Sequence, residues 1–154
     1  MILVTLGTQK QQFTRLLDYI EKANIKDKII VQAGYTSYNS KKMEILNFVN
    51  YEKMDMLIEE ADLVITHGGT GSILNALKKQ KKIIACPRLS KFGEHVDNHQ
   101  EEIVNVFYEE KYILKLDENS DIKKLIDESK KFKPRKYKSN TKNFIKNLEK
   151  LIEQ

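Results

Sequence analysis

The stretch Leu63-Val64-Ile65-Thr66-His67-Gly68-Gly69-Thr70-Gly71-Ser72-Ile73-Leu74-Asn75-Ala76-Leu77 decides the fold. Four apolar or β-branched residues at 63–66 read as a buried strand, a turn of small residues follows, and 72–77 continue at helical spacing. Adjacent glycines let a backbone approach a ligand closely. Free amides at the helix start, with the hydroxyls of Thr70 and Ser72, can surround a diphosphate. The plain alternative is a tight strand–helix turn whose glycines serve packing alone. No lysine follows Gly71, so this is not the phosphate loop of an ordinary ATPase. It is also not a GxGxxG after the first strand with an acid about 20 residues on, which argues against a nicotinamide site.

Outward from this turn the same alternation repeats. Residues 2–6 read as a short buried strand ending at Gly7-Thr8, and Phe13, Leu16, Leu17 and Ile20 follow helical spacing. Strands are expected at 28–33, 44–49, 82–85 and 112–116. Met54, Leu57, Ile58 and Ala61 mark a short helix, and Val96, His99, Ile103, Val104 and Phe107 a longer one. Residues 35–42 and 88–94 read as loops, and helices are expected at 121–129 and 137–152, parted by Pro134. Short strands alternating with helices predict an α/β fold: a mostly parallel sheet with helices on both faces. Sites in such folds sit at the carboxyl ends of the strands. Gly7, Thr8, Gly34, residues 67–72 and the loop after Pro87 therefore share one rim.

The whole chain, 154 residues, reads as one domain, with 40% hydrophobic and 32% charged residues. Its single cysteine, Cys86, excludes an internal disulfide framework and a cysteine-based zinc cluster. No apolar stretch is long enough to span a bilayer, and the opening Met1 to Gly7 lacks the basic segment of a signal peptide. A cytoplasmic domain is the expectation. The formal charge of +5 is carried almost wholly by lysine, since Arg15, Arg88 and Arg135 are the arginines. Eight basic residues and no acid occupy 130–146. Such a run is either a solvated face or a surface drawn to anionic lipid or an acidic partner. No nucleic-acid-binding signature accompanies it.

Two polar clusters favour a nucleotide site over bare packing. His67 enters the turn at its strand's carboxyl end, where a helix N-terminus disfavours imidazolium. It reads as a neutral hydrogen-bonding group. The second cluster is Gly93-Glu94-His95-Val96-Asp97-Asn98-His99-Gln100. Asp97 or Asn98 can cap the following helix, while Asn98 and Gln100 can bond sugar hydroxyls. His95 and His99 have the i, i+4 spacing of zinc ligands, but no Glu completes H-E-x-x-H and no third ligand is indicated, so no metal is expected.

The G-T turn at Gly7-Thr8, His67 to Ser72, Pro87 and Asp97 to Gln100, in this order, resemble the C-terminal nucleotide-sugar-binding domain of the GT-B glycosyltransferases of family 28. The resemblance covers roughly residues 1–110 and is strongest to short single-domain members: the Alg13-like proteins and bacterial capsule or exopolysaccharide subunits that work beside an Alg14-like membrane subunit. It implies a Rossmann-like half of a GT-B enzyme. It places Gly68, Gly69, Thr70 and Gly71 at the donor diphosphate, with Ser72 beside them and His67 as a diphosphate or sugar contact. It puts Asn75 where relatives carry a ribose-binding acid, and Asp97 and Gln100 at the donor sugar and ribose with Asn98 between. Uracil falls near Val49, Asn50, Tyr51 and Met54, and Gly7 and Thr8 face the other half of the cleft.

The implied function is a UDP-sugar-binding subunit of a two-component glycosyltransferase, with no further cofactor. It would pass a hexose or N-acetylhexosamine to a lipid-diphosphate-linked acceptor at the inner face of the cytoplasmic membrane. The acceptor site and catalytic base then belong to the partner, in keeping with the lack of a nucleophile–base pair, a GxSxG or a DxD here. A nucleotide-binding or regulatory module without transferase activity is the alternative, and a free-standing enzyme of a small phosphosugar a third. The closing helix, read as 137–153, places Phe144, Ile145, Leu148, Leu151 and Ile152 on one face and Lys138, Lys142, Lys146 and Lys150 broadly opposite. It is expected to dock on the sheet while its lysines assist membrane recruitment by the partner.

Overall fold

The computed structural model describes residues 1–138 and 142–153, the side chains of 142, 143, 145 and 151–153 excepted. Among the described residues six strands form one sheet: β1 (Ile2–Thr5), β2 (Ile29–Gln32), β3 (Met43–Leu46), β4 (Leu63–Thr66), β5 (Ile83–Ala85) and β6 (Leu114–Lys115). Their order is β3-β2-β1-β4-β5-β6 and every pairing is parallel. The chain thus grows outward in one direction from β1 and returns to begin again at β4. The topological switch point, where crossovers diverge and leave a crevice, falls between β1 and β4.

The α-helices among the described residues are α1 (Thr14–Lys22), α2 (Tyr51–Glu60), α3 (Thr70–Lys78), α4 (His99–Glu109), α5 (Ile122–Lys131) and α6 (Lys142–Glu153). Alternate strand residues face opposite layers. Ile2, Val4, Ile29, Val31 and Ile65 pack with Leu16, Leu17 and Ile20 of α1 and Ile122 and Ile126 of α5. Leu3, Ile30, Val64 and Ile83 face Leu57, Ile73, Leu77, Val104 and Phe107 of α2, α3 and α4, with Phe144 and Leu148 of α6. Both faces of the sheet are covered, as the apolar runs of its central strands require.

Several boundaries differ from the sequence expectation. The third strand stops at Leu46, not 49, because the Asn47 side chain donates to the Gly34 carbonyl at 3.1 Å and turns the chain. Asn50 caps the next helix, its side chain accepting from the Lys53 amide at 2.8 Å, so α2 begins at Tyr51. Val96 is 79% exposed and precedes α4, which starts at His99. The last strand shrinks to Leu114–Lys115, with Tyr112, Ile113 and Leu116 buried beside it. Residues 137 and 138 are not helical, and the closing helix is described over Lys142–Glu153. Tyr137 is buried edge-on against Tyr112 at 5.8 Å and is held in the connection before the helix. Phe144 and Leu148 are buried, with the Phe144 ring 5.0 Å from Phe107, whereas Lys146 and Lys150 are exposed. Lys138 precedes the helix, and the side chains of Lys142, Ile145, Leu151 and Ile152 lie outside the described residues.

Candidate functional site

A cleft of about 370 Å³ opens at the carboxyl ends of the strands, over the switch point. Gly7, Thr8 and Gln9 from the loop after β1 form one wall, and His67, Gly69, Gly71 and Ser72 from the β4–α3 turn form the floor. Phe48, Val49 and Asn50 from the β3–α2 connection, with Tyr51 and Met54 from the start of α2, close the third side. Phe48 and Tyr51 are 58% and 82% exposed, and Tyr35 meets Phe48 edge-on at 5.0 Å. The cleft thus has an apolar, aromatic end and a polar end made of backbone and hydroxyls.

The polar end is built around His67. A Cβ on Gly7 would come 2.7 Å from its ring, and one on Gly69 would come within 2.2 Å. Both positions are glycine because the imidazole lies between them, and Gly7 also holds φ +82°, a conformation L side chains rarely adopt. The Gly69 N–H donates to His67 Nδ1 at 3.1 Å, and Nε2 lies 3.1 Å from Ser72 Oγ. His67 is 6% exposed. Burial, with the nearby Arg88 cation as a second cause, pushes its pKa down to about 4. The ring is neutral at physiological pH, and burial contributes more to this than the helix terminus named by the sequence reading.

The start of α3 supplies donors that helix geometry leaves free. Ile73 N is the first α3 amide to find a helical carbonyl, donating to Gly69 O at 3.1 Å. The amides of Thr70, Gly71 and Ser72 precede it and have no helical partner. Those of Gly68 and Gly69 are spent inside the protein. Gly68 N donates to Gln100 Oε1 at 2.9 Å, and Gly69 N to His67. Gly68 packs against α4, where an added Cβ would meet Gln100 and Val104. Gly71 alone of the turn glycines has nothing within 4 Å of an added Cβ, because it faces the open cleft.

Of the residues singled out in the sequence, the fold brings Gly7, Thr8, His67, Gly69, Gly71 and Ser72 to one cleft, together with Val49, Asn50, Tyr51 and Met54. Others fall elsewhere. Asn75 lines an adjoining groove of about 360 Å³ between α2 and α3, shared with Tyr51, Met54 and Lys79. Gln100 is 4% exposed, and its Oε1 accepts from Gly68 N and, at 3.1 Å, from Arg88 N. It staples the glycine turn to the β5–α4 connection, so its carbonyl is not offered to a sugar. Asn98 accepts from the backbone and hydroxyl of Ser90 at 3.0 and 3.1 Å, fixing a 3-10 turn at Ser90–Phe92. Asp97 Oδ1 accepts from His99 N at 3.0 Å and stands 3.0 Å from His95 Nδ1. These contacts hold its carboxyl below the usual range, the His99 amide first. His95 precedes α4, so the two histidines do not share a helical face, and among the described residues no group of three ligand-type side chains could hold a metal.

The sequence reading missed the side chains that hold the cleft's walls. Gln32, at the end of β2 and 5% exposed, accepts from Gly7 N at 3.2 Å and donates to Gly7 O at 3.1 Å. Arg88, within what read as a loop, is fully buried. Its guanidinium donates to the carbonyls of Leu6, Gln11 and Glu94. Arg15 reaches back from α1, donating to Pro87 O at 3.0 Å and pairing with the buried Glu94 carboxylate at 2.9 Å. Arg88 thus ties the loop after β1, and Arg15 ties α1, to the connection after β5. The signals were an arginine directly after Pro87 amid buried apolar residues, and a glutamine closing an apolar strand.

Comparison with known proteins gives this geometry its context. The model of the glycosyltransferase family 28 C-terminal domain matches residues 1–154. The chain is 44% identical over 66 residues to the UDP-N-acetylglucosamine transferase subunit ALG13 of Eremothecium gossypii, across 42% of this chain and 30% of that protein. It is 40% identical over 73 residues to the subunit of the same name from Saccharomyces cerevisiae, across 47% of this chain and 34% of that protein. The matched region therefore spans about a third of these relatives. Among solved structures, an ALG13 solution structure superposes with a TM-score of 0.60 at 22% identity, covering 96% of this chain and 94% of that one. The glycosyltransferase of kitacinnamycin superposes with a TM-score of 0.60 at 18% identity, covering 97% and 37%. Both share the fold, and the family match over the full length shows that this chain belongs to the glycosyltransferase family 28 C-terminal domain family.

Proposed function

We propose that this chain is the donor-binding subunit of a two-component glycosyltransferase and holds a UDP-sugar, with UDP-N-acetylglucosamine the first candidate. The observation that carries this reading is the cleft itself. The helix-start residues Gly71 and Ser72, with their amides free of helical partners, and the Ser72 hydroxyl stand at one end, and Phe48, Val49, Tyr51 and Met54 at the other. The first end suits a diphosphate and the second a planar base. The donor named in the relatives' descriptions agrees with it. The cleft's lining holds no lysine or arginine among the described residues. The leaving diphosphate is met on this chain by oriented amides and hydroxyls at a helix N-terminus, which stabilise developing negative charge without reorganising.

The neutral His67 has both nitrogens engaged below the turn, so it is not placed to take a proton from an acceptor. That leaves the base, and with it the lipid-diphosphate-linked acceptor, to a partner across the cleft, an Alg14-like membrane-anchored subunit. The relatives' designation as subunits supports a partnered enzyme. No described helix is long and apolar enough to cross a membrane, so recruitment to the inner face of the cytoplasmic membrane would fall to that partner, with the lysines of the last helix assisting.

Calorimetric titration with UDP in the presence of chelator is expected to give saturable binding, with ADP at least tenfold weaker. Equal, millimolar-only binding of both nucleotides would overturn the donor site. Gly71→Ala refines the test. Alanine at this helical position should raise stability by about 0.5–1 kcal/mol through reduced chain entropy, while its methyl intrudes into the open cleft and weakens UDP at least tenfold. A variant that is more stable yet binds UDP unchanged would move the diphosphate away from the α3 start. Gly69→Val would be a poor probe of the same contact, because its side chain collides with His67 first.

A further inference from the structure

His67 lies beneath the polar floor of the cleft, and its two nitrogens are not equivalent. The Gly69 N–H points at Nδ1 from 3.1 Å, which requires a lone pair there. A neutral ring then carries its one proton on Nε2. That nitrogen is 3.1 Å from Ser72 Oγ, so the ring donates and the hydroxyl accepts. Gly7 and Gly69 leave the ring its space from either side, and neither can gain a Cβ without striking it.

Ser72 is the third residue of α3 and lines the cleft. A serine hydroxyl in a helix ordinarily rotates among partners, including the carbonyl four residues back. Here one acceptor face of Oγ is filled by an N–H from below. We propose that His67 is a positioning residue that commits the Ser72 hydroxyl to donate, making it a one-way donor toward an anionic oxygen in the cleft. This rests on the reading of the cleft as a diphosphate site and assigns a different role from direct contact between His67 and the ligand. A rotor free to present its lone pairs would repel a phosphate oxygen for part of the time. A rotor already oriented avoids that reorganisation when the ligand arrives.

The two nitrogens can be replaced separately. In His67→Asn the amide oxygen occupies the place of Nδ1 and keeps the Gly69 bond, but nothing reaches Ser72. In His67→Gln the terminal amide nitrogen replaces Nε2 and keeps the bond to Ser72. UDP and uridine affinities are measured calorimetrically for wild type, both His67 variants, Ser72→Ala and the double variant His67→Asn/Ser72→Ala, with a melting curve for each. Ser72→Ala is expected to weaken UDP by roughly ten- to a hundredfold, the range of one charge-assisted hydrogen bond. His67→Asn should lose most of the same factor, and the double variant should bind no more weakly than Ser72→Ala. His67→Gln should stay within about threefold of wild type, and uridine should bind all of them alike.

Losses that multiply in the double variant would mean that His67 touches the ligand on its own account and would overturn the inference. So would a folded His67→Gln as weak as His67→Asn. Should wild type itself bind UDP no better than uridine, the diphosphate reading falls first, which separates the two failures.

Discussion

Replacing Arg88 by Met is expected to cost about 3 kcal/mol or more of folding stability, and with it the shape of the cleft. The guanidinium is fully buried. Nε and Nη2 both donate to Leu6 O at 3.2 and 2.6 Å, and Nη1 donates to Gln11 O at 2.7 Å and Glu94 O at 3.0 Å. Its Cζ lies over the buried Phe13 ring, 5.0 Å from the ring centre. Removing it leaves the buried carbonyls of Leu6 and Glu94 short of donors, each worth about 1–3 kcal/mol, and the partly buried Gln11 carbonyl at a smaller cost. Two effects oppose this loss. Burial disfavours the cation, holding its pKa down to about 10, and a methionine recovers both that cost and some packing. Glu94 also keeps its pairing with Arg15, so no buried charge is stranded. The net is still a large loss, because the planar fork satisfies several carbonyls at once and no apolar side chain replaces a donor.

Urea unfolding should show this as a lower midpoint at unchanged slope. Arg88→Lys should recover less than half of the loss, since one ammonium cannot span Leu6, Gln11 and Glu94. Leu6 directly precedes Gly7, so the loop that walls the cleft loosens and UDP affinity falls with stability. An Arg88→Met midpoint equal to wild type would show that these bonds contribute nothing and that the loop is held by Gln32 alone.

This arginine marks where sequence reading stops. The sheet was legible because each strand is an apolar run bounded by glycine, proline or charge, and each helix shows its own period. Those are properties of neighbours in the chain. The glycine turn was legible for the same reason, being a strand, small residues and a helix in direct succession. Arg88 bonds to Leu6 across 82 positions, and Gln32 brackets Gly7 across 25. No local pattern announces such bonds, and by composition 88–94 is simply a polar loop.

The polar run from Glu94 to Gln100 misled in the opposite direction. Its density of hydrogen-bonding side chains suggested a ligand, yet Glu94, Asn98 and Gln100 all turn to the chain's own backbone. A long connection that crosses the rim of a parallel sheet without sheet partners must satisfy its amides some other way, and these side chains do so. The same logic divides the glycine turn. Two of its amides are consumed in holding it, and those one step further along the helix remain for a ligand.

Acid should destabilise this protein through His67 by about 3 kcal/mol between pH 6.5 and pH 4. The ring's pKa falls from 6.5 to about 4 on folding because the charged form would be buried beside Arg88. In that window the unfolded chain binds a proton that the folded chain does not, so stability rises with pH there and is complete above the unfolded pKa. It declines as pH falls from 6.5 and levels off below the folded pKa, once both states are protonated. Carboxylates whose folded pKa is depressed, such as Asp97, Glu59 and Asp62, also lose stabilisation on acidification. The comparison must therefore be made between wild type and His67→Asn, which keeps those carboxylates and removes the titrating ring. Unfolding free energies from urea curves at pH 7, 6, 5 and 4 should converge, wild type losing about 3 kcal/mol more than the variant. The same burial keeps the ring neutral from pH 5.5 to 8, so affinity for a UDP-sugar, whose diphosphate does not titrate in that range, should stay flat. Parallel stability curves for the two proteins, or an affinity that climbs below pH 6.5, would mean that the imidazole takes up a proton in the folded state and that it is not sealed between Gly7 and Gly69.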